Sequence, residues 1–143
     1  MRKLTFRLDV DEDGWPPVAA ESVWCEQEGD YFRVRNTPFF VKSIAYGDLI
    51  QVNAVDDAEV VLCRVVQESG NSTVWLYFQG DTAPQQVLAE LNGIGCGYEG
   101  GAVPGYFAVN VPKNVSMNKV ESVLAPLDEC GKVFVAYPVD RQG

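Results

Sequence analysis

A chain of 143 residues, 47% hydrophobic and 22% charged, has room for one domain or two small lobes and enough apolar mass for a core. Its formal net charge of -9 argues against gripping phosphate backbones, which takes clustered Lys and Arg, and Arg33, Arg35 and Lys42 form the one local basic cluster. There is no histidine, so Ser-His and Cys-His nucleophile activation and imidazole acid-base chemistry are excluded.

In chain order, Lys3–Val10 alternates, with Leu4, Phe6 and Leu8 on one face, and predicts a strand. Asp9, Asp11, Asp13 and Gly14 have the spacing of the first half of a calcium loop. The bidentate Glu is missing, because Ala20 stands at its position, and Pro16-Pro17 interrupts the loop, so the segment reads as a solvated acidic turn. Val18–Glu28 predicts a strand with Trp24 in the core, and Trp15 reads as a lid packed over the end of a barrel rather than a ligand-stacking ring.

The stretch from Gly29 to Val52 is the densest run of structural instruction. Tyr31, Arg33 and Arg35 fall on one face of a strand and Phe32 and Val34 on the other. Pro38 lacks an N–H and ends the pairing near Asn36-Thr37. Gly47-Asp48 then turns the chain tightly into Leu49–Val52. Leu49–Val55 and Glu59–Gln67 read as two strands joined by Asp56-Asp57-Ala58.

Gly14-Trp15-Pro16, Glu21 with Trp24, Asn36 followed by Pro38-Phe39-Phe40, Ala45-Tyr46-Gly47-Asp48 and the Ser69–Thr73 run carry a resemblance. On these motifs the chain resembles, over residues 4–112, a bacterial family known only as domain of unknown function forty-two sixty-five. The resemblance implies a recurring fold unit and transfers no activity.

Ser69–Thr73 punctuates the chain and divides it into lobes at 1–70 and 71–143. Thr73–Phe78 predicts a strand, and Thr82-Ala-Pro-Gln85 matches a capping box opening a helix that runs through Asn92 to Gly93. Cys96–Glu99 and Tyr106–Val111 form strands around a glycine-rich hairpin loop, which lacks the strand-to-helix context of a phosphate loop. Ser116 caps a second helix that Pro126 is expected to kink or shorten, and Lys132–Tyr137 closes as a strand. The expected fold is α+β: a small β-barrel-like N-terminal lobe, then a ferredoxin-like βαββαβ lobe.

Cys25, Cys63, Cys96 and Cys130 are widely spaced, without a Cys-x-x-Cys, and read as mostly buried, free thiols; neither a metal nor a cofactor is expected. No run approaches the ~18 apolar residues of a membrane span. Met1–Asp9 lacks the apolar region of a signal peptide, so a cytoplasmic protein contacting neither membrane nor nucleic acid is expected.

With no catalytic constellation in view, the expected function is non-catalytic: an acidic immunity or antitoxin-type inhibitor that neutralises a basic protein partner such as a nuclease toxin. Candidate contacts are Asp9, Asp11, Glu12, Asp13, Trp15, Glu26, Glu28, Asp30, Tyr31, Asp56, Asp57 and Glu59. The alternative is a small-molecule-binding regulatory or sensor protein, an argument from fold analogy.

Overall fold

Alternating burial builds the first sheet. Strand β1 (Arg2–Arg7) turns Leu4 and Phe6 inward, β2 (Ala20–Glu28) Val23 and Cys25, β3 (Tyr31–Val34) Phe32 and Val34, and β4 (Leu49–Val52) Ile50. With β5 (Cys63–Gln67) they form an antiparallel meander in the order β1-β2-β3-β4-β5. The β2–β3 hairpin turns on two residues, Gly29-Asp30, and Gly29 takes the positive φ of 64° that a type II′ turn requires.

The computed structural model describes residues 1–53, 60 and 63–142. The chain divides into two compact units, Met1–Ser69 and Gly70–Gly143. Among the described residues the fold is mixed α+β, with antiparallel sheets of five and four strands and two helices. No described helix is long and apolar enough to cross a membrane.

The first unit is not the expected barrel. Its five strands form an open sheet, and among the described residues β1 meets the chain before β5 only at a parallel bridge between Phe6 and Val60, where the Val60 N–H donates to the Thr5 carbonyl at 2.7 Å. Since β5 pairs with β4, one bridge is too little ladder to close a barrel. Trp24 also departs from expectation. Because Val23 and Cys25 point inward, pleating turns Trp24 outward, where it is 44% exposed with the Lys3 ammonium 4.9 Å from its ring centroid.

The connection from β3 to β4 is irregular and largely buried, so its main-chain groups need partners other than a ladder. Two carboxylates supply them. Glu21, on β2, accepts the N–H groups of Phe39 (2.6 Å), Phe40 (2.9 Å) and Val41 (2.9 Å). Asp48, fully buried, accepts from Ala45 and Ser69, each at 2.9 Å. Asn36 adds a bond from the Trp24 N–H at 2.6 Å. Phe40 is thereby held in the interior, with the half-buried Trp15 edge-on to it at 5.8 Å between centroids.

The second unit runs β6 (Ser72–Phe78), α1 (Gln85–Gly93), β7 (Gly97–Gly100), β8 (Tyr106–Val111), α2 (Met117–Glu129) and β9 (Val133–Val139). Its sheet order is β7-β8-β6-β9, every neighbouring pair antiparallel. The central strand β6 is buried at six of seven positions, as its continuous apolar run implies. Val74, Leu76, Val109, Val111 and Val133 meet Val87, Leu88 and Leu91 of α1 and Val120 and Leu124 of α2 in one core.

Two helix-end expectations need correction. Thr82 caps nothing: α1 starts at Gln85, Pro84 holds the cap position and no side chain bonds there, since the fixed φ of proline already suits a first turn. Pro126 lies inside α2 and does not end it, since the helix continues to Glu129, although the proline has no N–H to offer the Ser122 carbonyl. Ser116 does cap α2, accepting the Asn118 N–H at 3.2 Å. The buried Ser72 hydroxyl donates to Gln142 Oε1 and accepts from the Arg141 N–H, while Gln142 Nε2 donates to the carbonyls of Val111 and Pro112, lacing residues 141–142 over β6 and β8.

If Glu21 organises the β3–β4 connection, Glu21→Ala lowers unfolding stability by about 2–4 kcal/mol, because hydrogen bonds to a charged group contribute roughly 1.5–3 kcal/mol and are not additive. Glu21→Gln falls between wild type and Ala, since its NH2 cannot accept one of the donors. Urea denaturation of the three proteins measures both steps, and an unchanged midpoint in Glu21→Ala contradicts the assignment.

Candidate functional site

Helix α1 carries two stripes. Val87, Leu88 and Leu91 go into the core; Gln85, Ala89 and Asn92 stand exposed and, with the buried Leu88, at the i, i+3, i+4, i+7 spacing, line an open groove whose opposite wall is Tyr98 of β7 and Phe107 of β8. Pro84 stands at one end. The cavity is about 480 Å3. Seven residues along the helix make it roughly 10 Å long at 1.5 Å per residue.

The lining is uncharged. Gln85 and Asn92 place an amide towards each end, Tyr98 adds a phenol, and Leu88, Ala89 and Phe107 give an apolar floor. Such a surface offers shape and neutral hydrogen bonds, and its lining residues carry no carboxylate, thiol or amine. Phe107 is fixed by edge-on contacts with Phe78 (5.9 Å) and Tyr98 (6.2 Å) and lies over its cross-strand partner Gly100. A Cβ on Gly100 would sit 2.6 Å from Phe107 Cε1, so the wall has its shape because residue 100 has no side chain.

The residues picked from sequence lie elsewhere. Asp9, Asp11, Glu12 and Asp13 form one exposed turn, organised by Asp11, whose Oδ1 accepts the N–H groups of Asp13 (2.9 Å) and Trp15 (3.0 Å). Glu26 and Glu28 are on strand β2 rather than in a turn, and both carboxylates already face cations: Arg33 makes two bonds to Glu28 at 2.8 and 2.9 Å, and Arg35 reaches Glu26 at 2.8 Å. The Arg33 hydrogen bond holds the Glu28 carboxyl below its ordinary range. Cross-strand alternation explains the difference, since Arg33 on β3 and Arg35 just past its end share the outward face of β2 and reach Glu28 and Glu26 diagonally. Asp30 is exposed in the hairpin turn, Tyr31 is half-buried on β3 opposite Glu28, and Asp56, Asp57 and Glu59 lie outside the described residues.

Among the described residues no Cys, Asp and Glu are clustered to hold a metal ion. All four cysteines are free thiols, but they are not mostly buried as expected: Cys25 and Cys96 are buried, Cys63 and Cys130 exposed. Burial, with a smaller effect from Cys63, pushes the Cys25 thiol up to about 12, and burial pushes Cys96 up to about 11.

The family model described as Domain of unknown function (DUF4265) matches residues 21–134. The chain belongs to this family. It is also similar to the crystal structure of a hypothetical protein from Neisseria gonorrhoeae, at 18% identity and a TM-score of 0.79 over 97% of this chain and 96% of that one, a likeness of fold. No curated protein matches the chain. The DUF4265 match runs from β2 into β9 and takes in both the Glu21 and Asp48 clamps and the α1–β7 groove.

None of the groove residues Gln85, Leu88, Ala89, Asn92, Tyr98 and Phe107 is a site residue on the sequence reading, which gives Leu88, with Val87 and Leu91, to the apolar face of α1, where it is buried. Their signals were the second apolar-amide stripe of α1 and the glycines bracketing Tyr98-Glu99.

Gly100→Ala lowers the melting temperature, with a cost of about 1–3 kcal/mol from overpacking against Phe107, opposite in sign to the roughly 0.4–1 kcal/mol that Gly→Ala contributes where space allows. Thermal unfolding decides the sign. The buried thiols give a second outcome. Folded Cys25 and Cys96 stay protonated while the unfolded chain ionises near the ordinary value of 9.0, so stability is complete below about pH 9 and declines as pH rises towards 11–12. Denaturation midpoints between pH 8 and 10.5 measure that decline, which Cys25→Ala makes shallower.

Proposed function

We propose that this DUF4265 chain is a non-catalytic binding protein of the immunity or antitoxin type, and that it engages a basic protein partner through the groove of its second unit. The groove carries this reading: it is open, uncharged and furnished with amides, a phenol and an apolar floor, features that suit recognition. The net charge of -9 supports a basic partner, because long-range attraction raises encounter rates. The exposed turn at Asp9, Glu12 and Asp13 contributes to that field, whereas Glu26 and Glu28 are largely offset by Arg35 and Arg33. Exposed free thiols at Cys63 and Cys130 fit a reducing, cytoplasmic setting. In the same reading the second unit is ferredoxin-like, supported by its β-α-β-β-α-β succession and β7-β8-β6-β9 order.

One observation favours a second reading. Gln85, Asn92 and Tyr98 around Leu88, Ala89 and Phe107 also match the few polar groups on an apolar floor that orient a small neutral ligand. The two are separated by capturing partners on the purified chain from its host, reconstituting the captured protein in pure form, and comparing wild type with Ala89→Arg, which fills the groove from an exposed helix position. The expected result is at least a tenfold loss of affinity in the variant and slower association as salt rises past the ~8 Å screening length of physiological buffer. Binding that ignores both the variant and the salt overturns the proposal. Stabilisation of wild type but not Ala89→Arg by an uncharged small molecule, with no protein captured, moves the second reading ahead.

A further inference from the structure

The two edges of the four-stranded sheet are built differently. Edge strand β9 contains Pro138, which has no N–H to offer, and its register slips opposite Thr73 and Trp75: Thr73 pairs with Val139, but Trp75, two residues on, pairs with Ala136. Proline and a bulge on an edge both deny an incoming strand a continuous ladder. Edge strand β7 has neither. Its residues Gly97-Tyr98-Glu99-Gly100 pair with β8 in unbroken register, and Gly97, Tyr98 and Gly100 are exposed. Alternate residues of a strand turn their N–H and C=O groups to opposite sides, so half of the β7 main chain is directed at β8 and half away from the sheet. Glycine at each end of the strand leaves no Cβ in the line of approach.

The unguarded edge also borders the groove, because Tyr98 is one of the groove's walls and α1 the other. We propose that β7 accepts an extended segment of a basic partner protein as a fifth strand, its alternate side chains dropping onto Leu88, Ala89 and Phe107. The inference rests on the groove being the binding site and adds to it the main-chain ladder and the form of the occupant. At ~3.3 Å per residue, a groove of roughly 10 Å takes about three residues of extended chain, hence two side chains pointing inward. The uncharged lining requires those two to be apolar, while the acidic excess of the second unit, seven Asp and Glu against four Lys and Arg over residues 70–143, favours Lys or Arg at the intervening, outward positions. Main-chain bonds then supply affinity and the two inward positions specificity, the division of labour in strand addition generally.

The test uses the full chain and a blocked octapeptide alternating valine and lysine, followed by 15N–1H spectra and fluorescence anisotropy. Two further peptides of the same sequence carry N-methyl groups on alternate amides, in one phase or the other. Shifts at Gly97–Gly100 and along α1, at least a tenfold loss of affinity for one N-methyl phase only, and loss of binding in Ala89→Arg are expected. Equal binding of both N-methylated peptides, with Ala89→Arg still weakening them, overturns strand addition and leaves the groove reading standing. Binding unaffected by Ala89→Arg, or shifts away from α1 and β7, overturns both. No binding of the parent octapeptide at millimolar concentration overturns the strand-addition proposal alone.

Discussion

A carboxylate withdrawn from water keeps its charge only where dipoles replace its hydration, and the first unit is arranged around one such case. Glu21, 8% exposed, faces three consecutive N–H groups, those of Phe39, Phe40 and Val41. The bonds work in both directions: they solvate the carboxylate, and they satisfy main-chain donors in a segment that belongs to neither strand. Asp48 repeats the device, tying Ala45 to Ser69 across 24 positions of sequence through its two oxygens. The Glu21, Asn36, Phe39-Phe40 and Ala45–Asp48 motifs therefore describe how a loop is solvated from within. That accounts for motifs dense in acidic and aromatic residues.

The second unit solves a different problem. Its helices bury one stripe each in a shared core, and α1 also has an exposed stripe, Gln85, Ala89 and Asn92, beside the buried Leu88. The stripe remains an open surface because Phe107 stands against Gly100 and is braced by Phe78 and Tyr98, so the far wall does not collapse onto the helix. A groove maintained by a glycine-aromatic pair is set by packing. Its shape is thus coupled to the stability of β7 and β8 rather than to any charge on its surface.

Period-two alternation made strands β1, β2 and β3 legible, because one face of each is buried and a register slip would invert every side chain. The β-α-β-β-α-β succession was legible for a related reason: β6 and β8 are apolar runs, and the helices carry helical spacing. Closure of the first sheet was not legible, since it depends on whether β5 pairs with β4 alone or also with β1, and composition is silent on that. Trp24 misled because hydrophobic size was given more weight than its place between the inward Val23 and Cys25. Glu26 and Glu28 misled because acidity was read along the chain, whereas their partners Arg33 and Arg35 lie across a hairpin. The groove is not legible because its residues are neutral and spread over α1, β7 and β8.

Charge and contact are consequently separated in this protein. Cross-strand pairing on β2 and β3 neutralises much of the local acidity there, and the Asp11 carboxylate is engaged with its own turn. The net charge of -9 remains as a property of the whole chain, felt at a distance and weakened by salt. A fully formed ion pair at a contact must overcome the desolvation of both partners, which often consumes the Coulombic gain. An uncharged groove avoids that penalty. In the proposed function the acidity governs how often a partner arrives, and Leu88, Ala89, Tyr98 and Phe107 govern which segment of it remains.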